Sequence, residues 1–84
     1  MELLNLREQI SEIDRKVLEQ LEERMRISKD ISKVKKETNL PIEDKKREEE
    51  LILNRQSYTS INKEFVEDLF KLIIKESKRI QNDN

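Results

Sequence analysis

Arg24, Ser28 and Lys35 stand where an apolar stripe would ordinarily run. Arg24 takes the aliphatic place in a seven-residue row made by Leu3, Ile10, Val17 and Ile31. Lys35 follows eleven residues later, three helical turns on and about 20° away around the axis, with Ser28 between them on the same side. Ser77 and Gln81 continue, in steps of four, the apolar face of Val66, Leu69, Phe70 and Ile73. Asp44, Arg47 and Glu48 share a face with Leu51, at i, i+3, i+4 and i+7. A charge buried on any of these faces without a partner is costly. The groups must pair with one another or surround something polar. Two or more cations beside few carboxylates point to an anionic ligand, a small carboxylate.

Taken singly, each group has an ordinary explanation. In a chain that is 44% charged, an arginine can bury its stem against a core edge and keep its head in water. Ser77 and Gln81 can mark where a face meets solvent. Asp44 can be only a helix cap, and Arg47 with Glu48 only a solvated pair. The stronger reading rests on convergence. Three helices can bring the middle of the first, the start of the second and the end of the third around one pocket. Arg7 does not fit that pocket. It precedes Arg24 by about 25 Å along the helix and about 100° around it, so one metabolite cannot touch both through a straight helix. It is either an ordinary surface residue or it serves a pocket in an antiparallel partner chain.

The elements that must position these groups follow from periodicity. From about Leu3 to Glu37 there is no Pro or Gly, and the row Leu6, Ile13, Gln20, Ile27, Val34 runs beside the one containing Arg24. The spacing predicts one helix of about 35 residues, roughly 50 Å long. That is too long for a compact monomer of 84 residues, and a second chain is expected to cover it. Thr38 to Glu43 is the break. Asn39 suits a helix end, Pro41 pushes Leu40 out of the helical region, and Leu40 and Ile42 are expected to be tucked against neighbours. A second helix is predicted over about Asp44 to Ser57, with Asp44 as its cap or first-turn acid. Tyr58 to Ile61 is another connection. Asn62 is a good cap for a third helix over about Lys63 to Gln81, and Asn82, Asp83 and Asn84 read as a frayed tail. The expected fold is all-α, one domain over residues 1–84, with long, short and medium helices.

Composition narrows the chemistry. Hydrophobic residues are 33% of the chain, a lean core that oligomerisation would remedy. With 18 basic and 19 acidic residues the net charge is −1, which gives no electrostatic case for nucleic acid or an anionic membrane. No apolar run is long enough to span a membrane, and there is no signal-peptide core. A cytoplasmic location is the default expectation. There is no Cys, His or Gly. Thiol catalysis, Ser–His triads, ordinary zinc sites and glycine-rich phosphate loops are therefore excluded. The remaining set of Arg, Lys, carboxylates, Ser and Gln suits binding anions and stabilising charge, and suits proton shuttling near neutral pH poorly.

The ordered segments resemble a known family. Leu6-Arg7-Glu8-Gln9-Ile10-Ser11-Glu12-Ile13-Asp14 is similar to the opening LRxxIxxID of the all-helical, AroQ-class chorismate mutases. Leu21-Glu22-Glu23-Arg24, Ile31-Ser32-Lys33-Val34-Lys35, the run Pro41 to Glu48, and Leu69 to Ser77 followed by Gln81 continue the likeness over nearly the whole chain. The resemblance implies an intertwined homodimer of three-helix chains, no metal, no cofactor, and chorismate as substrate, rearranged to prephenate in phenylalanine and tyrosine biosynthesis. It implies that Arg24 and Arg7 of the partner subunit clamp two carboxylates. Lys35 and Gln81 would bond the ether oxygen of the breaking bond, and Glu48 with the backbone near Asp44 would hold the ring hydroxyl. Arg47 and Ser77 would complete the contacts. The implied reaction is pericyclic and needs no nucleophile or proton transfer, which agrees with the composition.

Two rivals stand beside this reading. Isochorismate-pyruvate lyase resembles the same family and uses a close isomer. A non-catalytic helical dimerisation module would explain the long helix, with the inward charges as registry devices. A plain bundle has no need of the full inward set.

Overall fold

A computed structural model describes residues 2–82. It contains α1 (Glu2–Glu37), α2 (Lys45–Ser57) and α3 (Lys63–Asn82). The all-α architecture of long, short and medium helices is as expected. Helix α3 runs one residue beyond the expected end, through Asn82; Asp83 and Asn84, expected to fray, lie outside the described residues.

Local chemistry sets each boundary. Lys35 and Lys36 lie in the last turn of α1, where the carbonyl end of the helix dipole favours cations. Asn39 then takes a left-handed conformation with φ of 59°, which its short polar side chain tolerates. The amide of Leu40 donates to the carbonyl of Lys35 at 2.8 Å and that of Asn39 to Lys36 at 3.4 Å. This is the paired closure of a Schellman turn. Leu40 is exposed, not tucked in: the turn uses its backbone N–H and leaves the side chain outside. Ile42 is half-buried, as expected.

Asp44 caps α2 with extended backbone, and its side chain accepts the Arg47 amide at 3.0 Å. Asn62 does the same for α3, accepting the Phe65 amide at 2.9 Å. Each cap satisfies a donor that the first helical turn leaves unpaired.

Helix α3 packs against both α1 and α2, and α1 and α2 do not pack against each other. The apolar core is small: Val66, Ile73 and Ile74, all on α3, are the buried apolar side chains among the described residues. The buried residues of α1 are two serines, Ser28 and Ser32. With Leu21, Met25 and Lys35, all half-buried, they form a row at steps of three and four. Small side chains in this row let the two backbones approach.

The other stripe of α1 has no cover within the chain. Leu3, Leu6, Ile10, Ile13 and Val17 are all about half exposed or more, with Ile10 at 59%. The chain extends over 57 × 25 × 16 Å with a radius of gyration of 16.0 Å, against roughly 12 Å for a compact domain of this length. Its accessible surface is 7075 Å², where a compact monomer of this mass would expose roughly 5,300 Å².

Candidate active site

The gap that α3 floors between α1 and α2 is a cavity of about 460 Å³. Arg24 and Lys35 enter it from α1, Arg47 and Glu48 from the first turns of α2, and Ser77 and Gln81 from the end of α3; Asp44 lines it from the α2 cap. Seven of the eight site residues expected from sequence therefore line one space. The eighth, Arg7, is exposed on α1 and does not line it, as the helix geometry requires.

The walls are apolar: Ile27 and Ile31 from α1, Ile42 from the connection, Leu51 from α2 and Ile74 from α3. Polar groups crossing them are held by specific contacts. Arg24 Nη1 donates to Ser77 Oγ at 2.8 Å, and Ser28 Oγ donates to the same oxygen at 3.2 Å. Ser32 Oγ donates to the Gln81 carbonyl at 3.2 Å. These bonds tie α1 to the last two turns of α3. Lys35 Nζ donates to the Ile42 carbonyl at 3.0 Å, which fixes the ammonium at the α1–α2 connection.

Glu48 is held from one side. Its Oε1 lies 2.9 Å from Lys78 Nζ, which is also 3.3 Å from Glu43 Oε1. The Glu48 contact, more than that of Glu43, raises the Lys78 pKa above the usual lysine range. Glu48 Oε2 and Gln81 Oε1 are buried with no hydrogen-bond partner. Buried polar atoms are normally satisfied, so these two mark unused hydrogen-bonding capacity within the cavity lining.

The cavity is lined by five cations, Arg24, Lys35, Arg47, Arg55 and Lys78, and two carboxylates, Asp44 and Glu48. This excess of positive charge sits in a chain whose net charge is −1. Burial lowers the pKa of the Arg24 guanidinium, and the positive charge of Arg55 lowers it further. Among the described residues no cluster of carboxylates is grouped as metal ligands are. The arrangement can bind a compact anion and offer fixed donors to charge that develops within it.

Two further cavity residues, Arg55 and Lys78, break no apolar stripe in the sequence. The signal for each was present. Arg55 stands seven residues after Glu48 and four after Leu51, and Lys78 four after Ile74. Both read as ordinary surface charges until α2 and α3 are placed side by side.

The family model of chorismate mutase type II matches residues 6–82. The chain belongs to the chorismate mutase type II family. A chorismate mutase of Methanocaldococcus jannaschii is 28% identical over 82 residues, covering 94% of this chain and 83% of that protein. Form II of the Thermus thermophilus chorismate mutase superposes with a TM-score of 0.92 at 30% identity, covering 98% of this chain and 96% of the other. Form I superposes with a TM-score of 0.86 at 32% identity, covering 92% and 99%. Chorismate mutases of this family are therefore similar to the chain in both sequence and fold. Neither the lyase nor the non-catalytic dimerisation module is favoured by these matches.

Proposed function

We propose that the cavity between α1, α2 and α3 is where this chain, an isomerase of the chorismate mutase family, binds chorismate and rearranges it to prephenate. One observation carries the residue assignment. Arg24, Lys35, Asp44, Arg47, Glu48, Ser77 and Gln81, drawn from three helices, line a single cavity with an excess of positive charge.

The reaction is unimolecular. One carbon–oxygen bond breaks as one carbon–carbon bond forms, and no proton leaves or enters. The protein has two tasks. It must hold the chair-like diaxial conformer, which is a matter of positioning. It must also stabilise negative charge developing on the ether oxygen, where one preorganised donor in a dry site is worth about 3–4 kcal/mol.

Lys35 is suited to the second task. The Ile42 carbonyl holds its ammonium in place before substrate arrives, so little reorganisation remains. Gln81, buried at the end of α3, is the second donor to the ether oxygen through its Nε2 amide, an amide being a donor as well as an acceptor. Arg24, braced by Ser77, takes a carboxylate. Arg47 reaches the same anion from α2. Glu48 uses its unpartnered oxygen to accept the ring hydroxyl, beside the backbone at Asp44.

The functional unit in this reading is a homodimer. The uncovered stripe of α1 and a surface roughly 1,800 Å² larger than a compact monomer needs support it, since obligate homodimers bury several thousand Å² in total. Antiparallel pairing of two α1 helices brings Arg7 of the partner subunit to the cavity, where it completes the carboxylate clamp.

The test is loss of chorismate absorbance at catalytic concentrations of the chain, with prephenate identified as product. Turnover supports the assignment. A folded dimer that leaves chorismate untouched refutes it, and the same assay on isochorismate then tests the lyase.

A further inference from the structure

We propose that Arg55 is a further carboxylate-binding residue, pairing with Arg24 to form a two-arginine anion subsite within one chain. The inference rests on the reading of the cavity as a chorismate site.

Three observations carry it. First, Arg55 is half-buried on α2 and lines the cavity. It also lines, with Arg24, the neighbouring apolar groove formed by Val17, Leu21, Phe70 and Ile73. Both arginines therefore border the polar cavity and the groove alike, and they are near enough for the charge of Arg55 to act on Arg24. Second, neither has a carboxylate partner among the described residues. Arg24 donates to Ser77, and Arg55 donates to Asn54 Oδ1 at 2.5 Å. Third, the Arg55 guanidinium lies 5.8 Å from the centre of the Tyr58 ring, a cation–π distance that restricts where the charge can sit.

Two like charges held together with no counter-ion repel, and burial strengthens the repulsion. The pKa of Arg24 is lowered in part by this repulsion. A carboxylate between them converts the repulsion into two charge-assisted contacts. Arginine suits this role because its planar fork meets a carboxylate with two parallel bonds. The ligand class is a dicarboxylate, with one carboxylate at the Arg24–Arg55 pair and the remaining cations serving the rest of the molecule.

The test compares Arg55→Met, which keeps much of the stem and removes the charge, with Arg55→Lys, which keeps the charge and loses the fork. The wild-type chain, assayed on chorismate alongside, reports separately on the cavity assignment. For Arg55→Met the expected result is a KM at least about tenfold higher, as loss of a charged hydrogen bond implies, with kcat changed much less. Arg55→Lys should fall between. Inhibition by a dicarboxylate transition-state mimic should weaken in Arg55→Met, and inhibition by the matched monocarboxylate lacking the clamped group should not. An Arg55→Met variant with wild-type KM and inhibition overturns the inference and leaves the cavity assignment standing. A variant whose dimer dissociates more readily, with KM unchanged once dimeric, also overturns it, because Arg55 would then serve the interface. If Arg55→Met does not fold, Arg55→Lys decides by the same dicarboxylate against monocarboxylate comparison: unchanged discrimination overturns the inference.

Discussion

Lys78 Nζ sits 2.9 Å from one carboxylate oxygen of Glu48, while the other oxygen of Glu48 is buried without a partner. The two residues come from different helices, and the ammonium fixes which way the carboxylate turns. One oxygen is engaged, and the other remains to accept a hydroxyl. Lys78→Met should therefore raise KM for chorismate several-fold while leaving a folded dimer, and steady-state kinetics on the variant measures this. The pair also has an alkaline signature. The folded pKa of Lys78 is raised, so its stabilising contribution is full below the ordinary lysine range and is lost as pH rises through the raised value, above about pH 10. Melting temperature should fall more steeply there in the wild type than in Lys78→Met.

Lys35→Ala should lower kcat by about 100- to 1000-fold, the effect of losing one preorganised donor to developing charge, with a smaller change in KM. The existing bond from Lys35 to the Ile42 carbonyl is part of the reason: the ammonium is positioned by the protein rather than by the substrate. A kcat within a few-fold of wild type would remove Lys35 from the charge-stabilising role.

Arg7→Ala and Arg24→Ala should each lose most activity while remaining dimeric. Mixed and refolded in equal amounts, they should recover about one quarter of wild-type activity, since half the dimers are hybrids and each hybrid regains one of two sites. Recovery of nothing would place Arg7 outside the site.

Ile10→Glu places a charge on the uncovered α1 stripe, where Ile10 is 59% exposed in the single chain. Sedimentation equilibrium should show the wild type at twice the chain mass of 10.2 kDa and the variant dissociated or unfolded, with activity lost. A dimeric, active variant would show that this stripe is not the interface.

Asp44→Ala removes the cap bond to the Arg47 amide and should destabilise the chain by about 1 kcal/mol. Asp44→Asn retains a side-chain acceptor and should recover most of that stability. Thermal melts of the two variants give the comparison.

Much of this was legible along the chain because it is local. Asn39, Asp44 and Asn62 end or begin helices through bonds that span three to five residues, so a reader of the sequence can place them. Arg24 and Gln81 were visible for the opposite reason: each violates an apolar stripe. Lys78 and Arg55 violate nothing. They sit beside Ser77 and beyond Leu51 as surface charges should, and only their neighbours on other helices give them a role. Leu40 is exposed, although its hydrophobicity suggests burial, because the turn that Asn39 closes decides its position.

By itself the sequence determined three helices and their approximate boundaries, because periodicity and capping act within a few residues; the ordered motifs from Leu6 to Gln81 carried the resemblance to the family, and cations on apolar faces in a chain without His, Cys or Gly pointed to an anionic ligand. Tertiary structure alone decided that α3 lies against both other helices while α1 and α2 stay apart, that two serines rather than the aliphatic stripe face α3, and that Arg24 meets Ser77 across 53 residues. Those outcomes depend on how closely whole helices approach. That distance is set by the packing of small side chains over a shared seam, a property no single stretch of sequence contains.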